Sequence, residues 1–290
     1  MTLTRVLTAL ALMPLAIVIV LFTPTWSVAI AVAILTILAL WEYFALGDAI
    51  GHRAYRLWTV FCALVLIYGN YLIAITDASI HGNWMRLTNR LWPFPGYRSD
   101  LSHVFFLFVL GTTVLTLFTR RPLVECLPAA GVSSSALLLV AFPLSFTVRL
   151  HAISDGPRLL LFALAITWAA DTFAYFVGRS FGKHPLAPKI SPKKTWEGSI
   201  GGLLGSLLIA YAFHFWLTVA LPHLFAMAFL SNIAGQMGDL LESACKRSAG
   251  VKDSGGLLPG HGGILDRIDA LILCIPVIWY YLVLVNPRAL

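Results

Sequence analysis

Long apolar stretches follow one another along almost the whole chain, and they constrain its fold more than any other feature. A helix needs about 20 mainly apolar residues to cross a hydrocarbon core of about 30 Å. Nine stretches approach or reach that length, near residues 6–23, 26–46, 58–76, 101–118, 128–147, 157–177, 199–219, 223–241 and 264–285. The first could resemble a secretory signal, but it lacks a small-residue cleavage site and another apolar stretch follows at once. We therefore expect an all-α, polytopic integral membrane protein with about nine transmembrane helices and no separate soluble domain.

Composition supports a membrane as the surrounding solvent. Hydrophobic residues make up 59% of the chain and charged residues 11%, with a mean hydropathy of +0.85, whereas soluble domains carry about 25% charged residues. The net charge of +7 could suggest nucleic acid, but the basic residues are spread among loops and lack interleaved aromatic residues, so no nucleic-acid partner is expected. The four cysteines show no paired spacing, so neither a disulfide framework nor a zinc site is implied.

The distribution of basic residues predicts the orientation. With a cytosolic N-terminus, the N-terminus and the even-numbered loops would hold 14 of the 20 Lys and Arg residues: Arg5, Arg53, Arg56, Arg120, Arg121, Arg179, Lys183, Lys189, Lys193, Lys194, Lys246, Arg247, Lys252 and Arg267. The other side would hold Arg86, Arg90, Arg98, Arg149, Arg158 and Arg288. Because cytosolic loops carry the excess of Lys and Arg, this bias favours a cytosolic N-terminus. Both large polar loops of the C-terminal half then face the cytosol.

The two halves of the chain differ in polarity. Residues 1–150 are expected to form N-terminal helices that act as scaffold and face lipid, whereas residues 151–290 carry the polar groups of a catalytic region. Asp171 lies inside an apolar helix, where an isolated charge costs at least a few kcal/mol and usually faces a partner or water. Two interpretations are open: a packing carboxylate paired with a Lys or Arg, or a wall of an active site.

The segment 178–202 holds two basic residues next to a proline. It does not fit a Walker A loop, because the glycine spacing is one residue short and no Ser or Thr follows Lys183. Ser191 to Thr195 is interpreted as a proline-stiffened turn that presents Lys193 and Lys194 before a helix N-terminus, which suits a phosphate. Setting membrane topology or touching anionic lipid is an equally open role for both lysines.

Small residues recur at the start of the following helix. Gly198, Gly201, Gly202 and Gly205 form two overlapping Gly-x-x-x-Gly spacings. Such spacings most often indicate close packing of helices and sometimes a dimer face.

The end of the eighth stretch carries polar side chains at helical spacing. Asp239, Glu242, Ser243 and Lys246 fall at offsets of three, four and seven residues, so they share one helix face. A solvated helix end with an internal Glu242 to Lys246 ion pair would explain the pattern without any catalytic role. The loop that follows favours an active site instead.

That loop is rich in glycine and in charge. Its glycines permit close approaches of the kind found in phosphate-binding nests, and its candidate functional residues are Lys252, Asp253, His261, Asp266, Arg267 and Asp269. Two helix ends thus offer carboxylates across a cationic loop. Oxygen ligands of this kind suit Mg²⁺, which completes its shell with substrate phosphates and water. The pattern predicts metal-dependent phosphoryl or nucleotidyl transfer on a lipid substrate.

His261 is the ambiguous member of the loop. A lone His is more often a structural hydrogen-bonding residue than a ligand. Because glycines surround it and leave little to pack against, we expect phosphate contact or proton transfer.

The run from Ser243 to Asp269, SACKRSAGVKDSGGLLPGHGGILDRID, closely resembles the signature of the phosphatidate cytidylyltransferases, also called CDP-diacylglycerol synthases. The segments ADTFAYFVGRSFGKH, SPKKTWEG and GDLLES extend the resemblance over most of the C-terminal half, whereas RVLTALALMP and WEYF near the N-terminus are less specific. Cys245 stands where the family usually has a larger aliphatic residue, which we expect to alter packing and not chemistry.

The resemblance implies transfer of CMP from CTP to phosphatidic acid, with CDP-diacylglycerol and pyrophosphate as products. It also implies a homodimer in a bacterial plasma membrane with its active site at the cytosol, and a Mg²⁺ site at Asp239 and Asp266, with a second cation left open. In this scheme the catalytic residues are Asp239, Lys252, His261, Asp266 and Arg267. The phosphate-binding residues are Lys193, Lys194, Ser243, Lys246 and Arg247. The supporting residues are Asp171, Glu242, Asp253 and Asp269.

Other classes of protein remain as alternatives. A transporter of a phosphorylated solute would also gather cations and broken glycine-rich segments, but near the bilayer midplane and in two related halves. A related cytidylyltransferase acting on an ether-lipid phosphate would share the chemistry. An inactive scaffold is disfavoured by the retained charged residues, and the Asp-Gly-x-x-Ala-Arg motif of the CDP-alcohol phosphotransferases is absent from the sequence.

Overall fold

The protein is almost entirely helical in the computed structural model, which describes residues 2–79, 101–119, 121–257 and 262–285. The α-helices are α1 (Thr2–Phe22), α2 (Thr25–Ala49), α3 (Arg56–Ser79), α4 (Ser102–Leu117), α5 (Cys126–Ala136), α6 (Phe142–Ala152), α7 (Gly156–Phe181), α8 (Trp196–Phe213), α9 (Leu221–Ser248) and α10 (Leu265–Val285). Two short strands, β1 (Pro185–Ala187) and β2 (Ser191–Thr195), lie between α7 and α8. The expected all-α membrane fold is confirmed.

The membrane-crossing helices can be counted only over the described residues. Within the described ranges, seven helical segments are long and apolar enough: Thr25–Ala49, Arg56–Ile75, Leu123–Ala152, Gly156–Phe181, Trp196–Phe213, Leu221–Ser248 and Leu265–Val285. The first and fourth predicted spans contain the apolar helical segments Leu12–Phe22 and Ser102–Leu117. The figure of nine is therefore not confirmed.

One of the seven segments is a composite helix. It joins α5 to α6 through a π-helical turn at Leu137–Ala141, and Pro143 follows at the start of α6. Proline has no N–H to donate to the preceding turn, so the regular hydrogen-bond ladder is interrupted at this point.

Glycine residues let α7 and α8 approach each other closely. A Cβ atom at Gly201 would lie 2.6 Å from the side chain of Val177, and one at Gly202 would lie 2.9 Å from the carbonyl oxygen of Ala170. Both distances are too short for a side chain, so only glycine fits here. The Gly-x-x-x-Gly spacings therefore serve intramolecular packing of α8 on α7.

The segment before α8 is a hairpin and not the predicted turn. β1 and β2 pair in antiparallel fashion, with Pro185 opposite Thr195 and Ala187 opposite Ser191. Thr195 is the N-cap of α8, and its hydroxyl accepts a hydrogen bond at 3.1 Å from the amide of Gly198. Because the cap fixes where α8 begins, the preceding lysines are held in extended backbone at the helix end.

The polar ends of several helices meet at one end of the bundle. Glu42, near the end of α2, accepts a hydrogen bond from the amide of Leu265, where α10 begins. Lys194 of β2 pairs with Asp239 near the end of α9. The apolar core includes the fully buried side chains of Phe44, Phe146, Phe162, Leu137 and Met227.

Candidate active site

The carboxylate of Asp239 joins the hairpin to α9. Its Oδ2 atom forms an ion pair with Nζ of Lys194. Its Oδ1 atom lies 3.4 Å from the hydroxyl of Ser243, one turn further along the same helix. Both side chains of the ion pair are a little over one quarter exposed, at 29% for Lys194 and 28% for Asp239, so the pair is reachable from solvent.

Two further carboxylates come close to Asp239 from neighbouring helices. Asp171 of α7 interacts electrostatically with Asp239, Lys194 and Arg267. Asp269 of α10 interacts with Asp239 and Asp171. Like charges repel in a medium of low dielectric, so this group requires cations nearby. Asp171 thus lies beside both a second carboxylate and two cations, and its supporting role at an active site stays a prediction.

Lys246 forms a second cluster about two turns beyond Asp239 on α9. Its ammonium group contacts Oε2 of Glu242 and Oδ1 of Asp266. All three side chains are largely buried, at 11%, 5% and 7% exposure respectively. The Glu242 to Lys246 ion pair proposed as a plain helix-end contact is present, but Asp266 from another helix shares it. The pair is therefore part of a site that spans two helices.

Asp266 also organises the glycine-rich loop. Its Oδ2 atom accepts hydrogen bonds from the amide of Gly263 at 2.8 Å and from both the amide and the hydroxyl of Ser254 at 3.0 Å. Gly262 has a φ of +77°, and a Cβ atom there would lie 2.6 Å from this oxygen. In the described part of the loop, the glycine backbone thus binds the chain's own carboxylate, where the sequence had suggested a phosphate nest.

Glu42 belongs to this site, although it lies in the N-terminal half and was not among the predicted residues. It accepts hydrogen bonds from the amides of Ile264 at 2.9 Å and Leu265 at 2.8 Å. The hydroxyl of Ser254 also lies 3.0 Å from it, so Glu42 and Asp266 share that single donor. These amides begin α10 and have no partner within their own helix. A negative charge at a helix N-terminus is also favourable. The available signal was that Glu42 is the single carboxylate in the apolar stretch 26–46.

A ladder of uncharged polar groups leads from α8 along α9 towards Asp239. Gln236 donates to Oδ1 of Asn232 at 2.6 Å and to the carbonyl oxygen of Ser199 at 3.3 Å. Asn232 in turn donates to the hydroxyl of Ser206 at 2.9 Å. Asn232, Gln236 and Asp239 line a cleft of about 30 Å³ together with Asp171. These amides were also missed, although Asn and Gln stand out in an apolar segment.

The remaining predicted cations lie around the rim. Lys193 and Lys252 are exposed, as is Asp253, and Arg267 is exposed beside Asp171. Arg247 donates to the carbonyl oxygens of Ile190 at 3.3 Å and Val251 at 3.1 Å, so it links the hairpin to the loop. His261 lies outside the described residues, and its predicted role stays a prediction.

The carboxylates form two groups and not one metal cage. Asp239 is held by Lys194, and Asp266 is held by Lys246. In the part of the chain that the structure describes, no three His, Cys, Asp or Glu side chains converge closely enough to hold a metal ion. The two predicted metal ligands, Asp239 and Asp266, are therefore each neutralised by a lysine of the same chain.

The Cytidylyltransferase family profile matches residues 3–285, which include every helix of the site. The chain belongs to the cytidylyltransferase family. The family resemblance expected from the Ser243 to Asp269 run is thereby confirmed, and the match extends into the N-terminal half that supplies Glu42. The proposed division at residue 150 stays a prediction.

Several curated proteins that resemble this chain are named phosphatidate cytidylyltransferases. The phosphatidate cytidylyltransferase of Haemophilus influenzae is 47% identical over 137 residues, which are 45% of this chain and 48% of that protein. That of Staphylococcus haemolyticus is 48% identical over 127 residues, 43% of this chain and 49% of that protein. That of Bacillus subtilis is 38% identical over 178 residues, 59% of this chain and 66% of that protein. The chain thus aligns with about half to two thirds of the length of these relatives.

Proposed function

We propose that this protein transfers CMP from CTP to phosphatidic acid, giving CDP-diacylglycerol and pyrophosphate for phospholipid synthesis. The observation that carries the proposal is the convergence of Asp171, Asp239, Asp269 and Lys194 at one end of a membrane helix bundle. This is the region in which the chain resembles the phosphatidate cytidylyltransferases. A site at the end of membrane helices suits a reaction between a soluble nucleotide and a lipid.

The chemistry needs little from a general base. The phosphomonoester of phosphatidic acid has a second pKa of about 6, so it is largely ionised near neutral pH. One of its oxygens attacks the α-phosphorus of CTP and forms a new P–O–P bond. The bond between that phosphorus and the oxygen bridging to the β-phosphate breaks, and pyrophosphate leaves with the electron pair. Binding and orientation of two anions is therefore the main task of the protein.

The cations of the site are suited to that task. In the chain alone, the ammonium groups of Lys194 and Lys246 neutralise the chain's own carboxylates. When substrate phosphates arrive, these groups and the guanidinium of Arg267 would stabilise negative charge on the transferred phosphoryl group. Lys193, Ser243, Arg247 and Lys252 would act further out, where they meet the triphosphate or the lipid phosphate. Glu42, Glu242, Asp253 and Asp269 would orient the cations and the loop.

A Mg²⁺ ion fits the donor chemistry of the site. Asp239 and Asp266 offer hard carboxylate oxygens, which Mg²⁺ prefers. Each of them now contacts a lysine ammonium group, which shows that a positive charge is accommodated beside it. One oxygen of the buried Glu242, Oε1, has no hydrogen-bond partner among the described residues. Without the ion, these two carboxylates belong to separate groups, so Lys194 and Lys246 would have to release them for both to hold it. The ion would then supply charge neutralisation at the phosphates.

The orientation of the site follows from the charge distribution. We propose that the end carrying Lys194, Lys246 and Arg267 faces the cytosol, in a bacterial plasma membrane, because basic residues concentrate there. CTP would then reach the site from the water phase. Phosphatidic acid would enter sideways from the bilayer. A homodimer, which the resemblance implies, is kept as a proposal that native mass spectrometry in detergent would test.

The test is lipid mass spectrometry of the purified protein supplied with CTP and phosphatidic acid. We expect CDP-diacylglycerol and an equal amount of pyrophosphate. Geranylgeranylated glycerophosphate is added as a competing lipid, and preferential use of it would move the assignment to the ether-lipid relative. Counterflow of a phosphorylated solute by reconstituted protein, without consumption of CTP, would contradict the proposal and favour a transporter.

A further inference from the structure

A large basic pocket lies beside the connection between α2 and α3. Its volume is about 860 Å³. The residues that line it are Asp48, Arg53, Ala54, Tyr55, Arg56, Leu57, Trp58, Phe61, Leu115 and Arg121. None of them lines the cleft beside Asp239. Because Glu42 ties the end of α2 to the start of α10, the pocket lies at the same end of the bundle as the active site but is separate from it.

The mouth of the pocket is built by fixed contacts. The guanidinium of Arg121 donates to the carbonyl oxygens of Arg53 at 2.5 Å and Ala54 at 3.4 Å, and lies 5.1 Å above the ring centre of Tyr55. Tyr55 is held in turn by a hydrogen bond of 3.0 Å between its hydroxyl and that of Thr116. Arg121, which lines the pocket, is therefore held in position before any ligand binds.

The charge of the pocket is positive. Three arginines line it, against the single carboxylate of Asp48 among the described lining residues. Arg56 pairs with Asp48, whereas the exposed side chain of Arg53 has no partner among the described residues. A guanidinium group binds phosphate oxygens through two parallel hydrogen bonds, so this pocket suits a phosphate.

The wall below the arginines is apolar and faces outward. Leu57 is 79% exposed and Phe61 is 49% exposed, and both lie on the segment of α3 that could span a membrane. Trp58 donates from Nε1 to the carbonyl oxygen of Phe108 at 3.2 Å, and Trp is favoured at the headgroup level of a bilayer. The pocket therefore offers cations at the level of headgroups and apolar surface at the level of acyl chains.

We propose that this pocket binds one anionic membrane phospholipid, with its phosphate at Arg53 and Arg121 and an acyl chain along Leu57 and Phe61. A soluble phosphate would fill the mouth but leave the apolar wall uncovered, so a lipid fits both parts. The site is separate from the one proposed for nucleotidyl transfer and does not depend on it.

The test measures retention of phosphatidylglycerol by native mass spectrometry. The protein is released from nanodiscs of phosphatidylcholine that contain a known fraction of phosphatidylglycerol. This lipid is not the proposed substrate, so the result is independent of catalysis. We expect Arg53→Gln to weaken retention by about fivefold, since one basic residue near an anionic surface contributes about that factor. Asp48→Asn should act in the opposite direction and strengthen it, which a merely misfolded variant would not do.

Two controls make the outcome decisive. Arg158→Gln, at the opposite end of the bundle, where Arg158 pairs with Asp155 and stacks on Trp216, should leave retention unchanged. Inorganic phosphate at millimolar concentration should displace little lipid. Equal retention by the wild type and the Arg53 and Asp48 variants would overturn the proposal. So would full displacement by inorganic phosphate, which would identify a site for soluble anions.

Discussion

The hydroxyl of Ser254 lies 3.0 Å from a carboxylate oxygen of Glu42, although the two residues are 212 positions apart in the chain. The same hydroxyl lies 3.0 Å from Oδ2 of Asp266. Glu42 lies on α2, in the N-terminal half, and it contacts the loop of the C-terminal half that carries the family resemblance. The relationship makes Glu42 a positioning residue for the site, and several outcomes can be expected from it and from its neighbours.

Replacing Glu42 should loosen the start of α10. Glu42→Gln replaces one carboxylate oxygen by an NH₂ group. That group cannot accept a hydrogen bond from the Ser254 hydroxyl or the Leu265 amide, which the carboxylate now accepts. A lost buried acceptor costs about 1–3 kcal/mol, so the melting temperature in detergent should fall and CDP-lipid formation should fall with it. The control is Glu125→Gln, since Glu125 has no side-chain hydrogen bond among the described residues. Equal stability of the two variants would contradict the role of Glu42.

The proposed metal ligands should be needed for turnover. Asp239→Asn and Asp266→Asn remove a charge that now balances Lys194 and Lys246 respectively. We expect CDP-lipid formation to fall by about 100-fold or more in each variant, measured over a range of Mg²⁺ concentrations. Asp155→Asn, at the other end of the bundle, serves as the control. Near-normal turnover in either variant would rule out the metal assignment.

The two neighbouring lysines of the hairpin should differ in importance. Lys194 contacts Asp239, whereas Lys193 is exposed. Lys194→Gln should lower kcat/KM for CTP by about 10- to 100-fold, as expected for a lost charge-assisted hydrogen bond. Lys193→Gln should have a smaller effect, because its charge acts through solvent. Steady-state kinetics of the two variants gives the comparison, and a larger loss for Lys193 would contradict the geometry.

The glycine-rich loop offers a matched pair of substitutions. A Cβ atom at Gly263 would lie 2.2 Å from the hydroxyl of Ser254 and 2.3 Å from Oε2 of Glu42, whereas one at Gly256 would meet nothing within 4 Å. Gly263→Ala should therefore reduce the free energy of unfolding by about 1–3 kcal/mol. Gly256→Ala should change it by about 1 kcal/mol or less. Thermal unfolding in detergent measures both, and equal tolerance would refute the packing of Glu42 against the loop.

The orientation can be tested with a membrane-impermeant maleimide. Lys252→Cys should react in inside-out membrane vesicles and stay unlabelled in right-side-out vesicles, and Arg158→Cys should show the reverse. Cys62, Cys126 and Cys274 are buried, whereas Cys245 is partly exposed. Both variants are therefore made in a Cys245→Ser background, which by itself should give little labelling in either preparation. Labelling of the residue 252 variant in right-side-out vesicles would reverse the proposed topology.

The helices and many of the charged residues at the site could be predicted from patterns between residues close together in the sequence. Apolar stretches identify membrane helices because unpaired backbone groups are too costly in hydrocarbon. Offsets of three and four residues correctly placed Glu242 and Lys246 on one face of α9, since those offsets are set by the geometry of a single helix. The glycine spacing of α8 likewise predicted close helix packing, and α7 proved to be the partner.

Tertiary structure alone decided which carboxylate meets which cation. Nothing local to Asp239 indicates Lys194 as its partner, and nothing local to Asp266 indicates Lys246, because both contacts join elements separated in the chain. The role of Glu42 depends on the end of α2 meeting the start of α10, which no spacing within either helix encodes. The sequence determined a membrane helix bundle with a charged, glycine-rich end. Packing of the helices then determined how those charges are paired, since electrostatic interactions depend on distance in space and not along the chain.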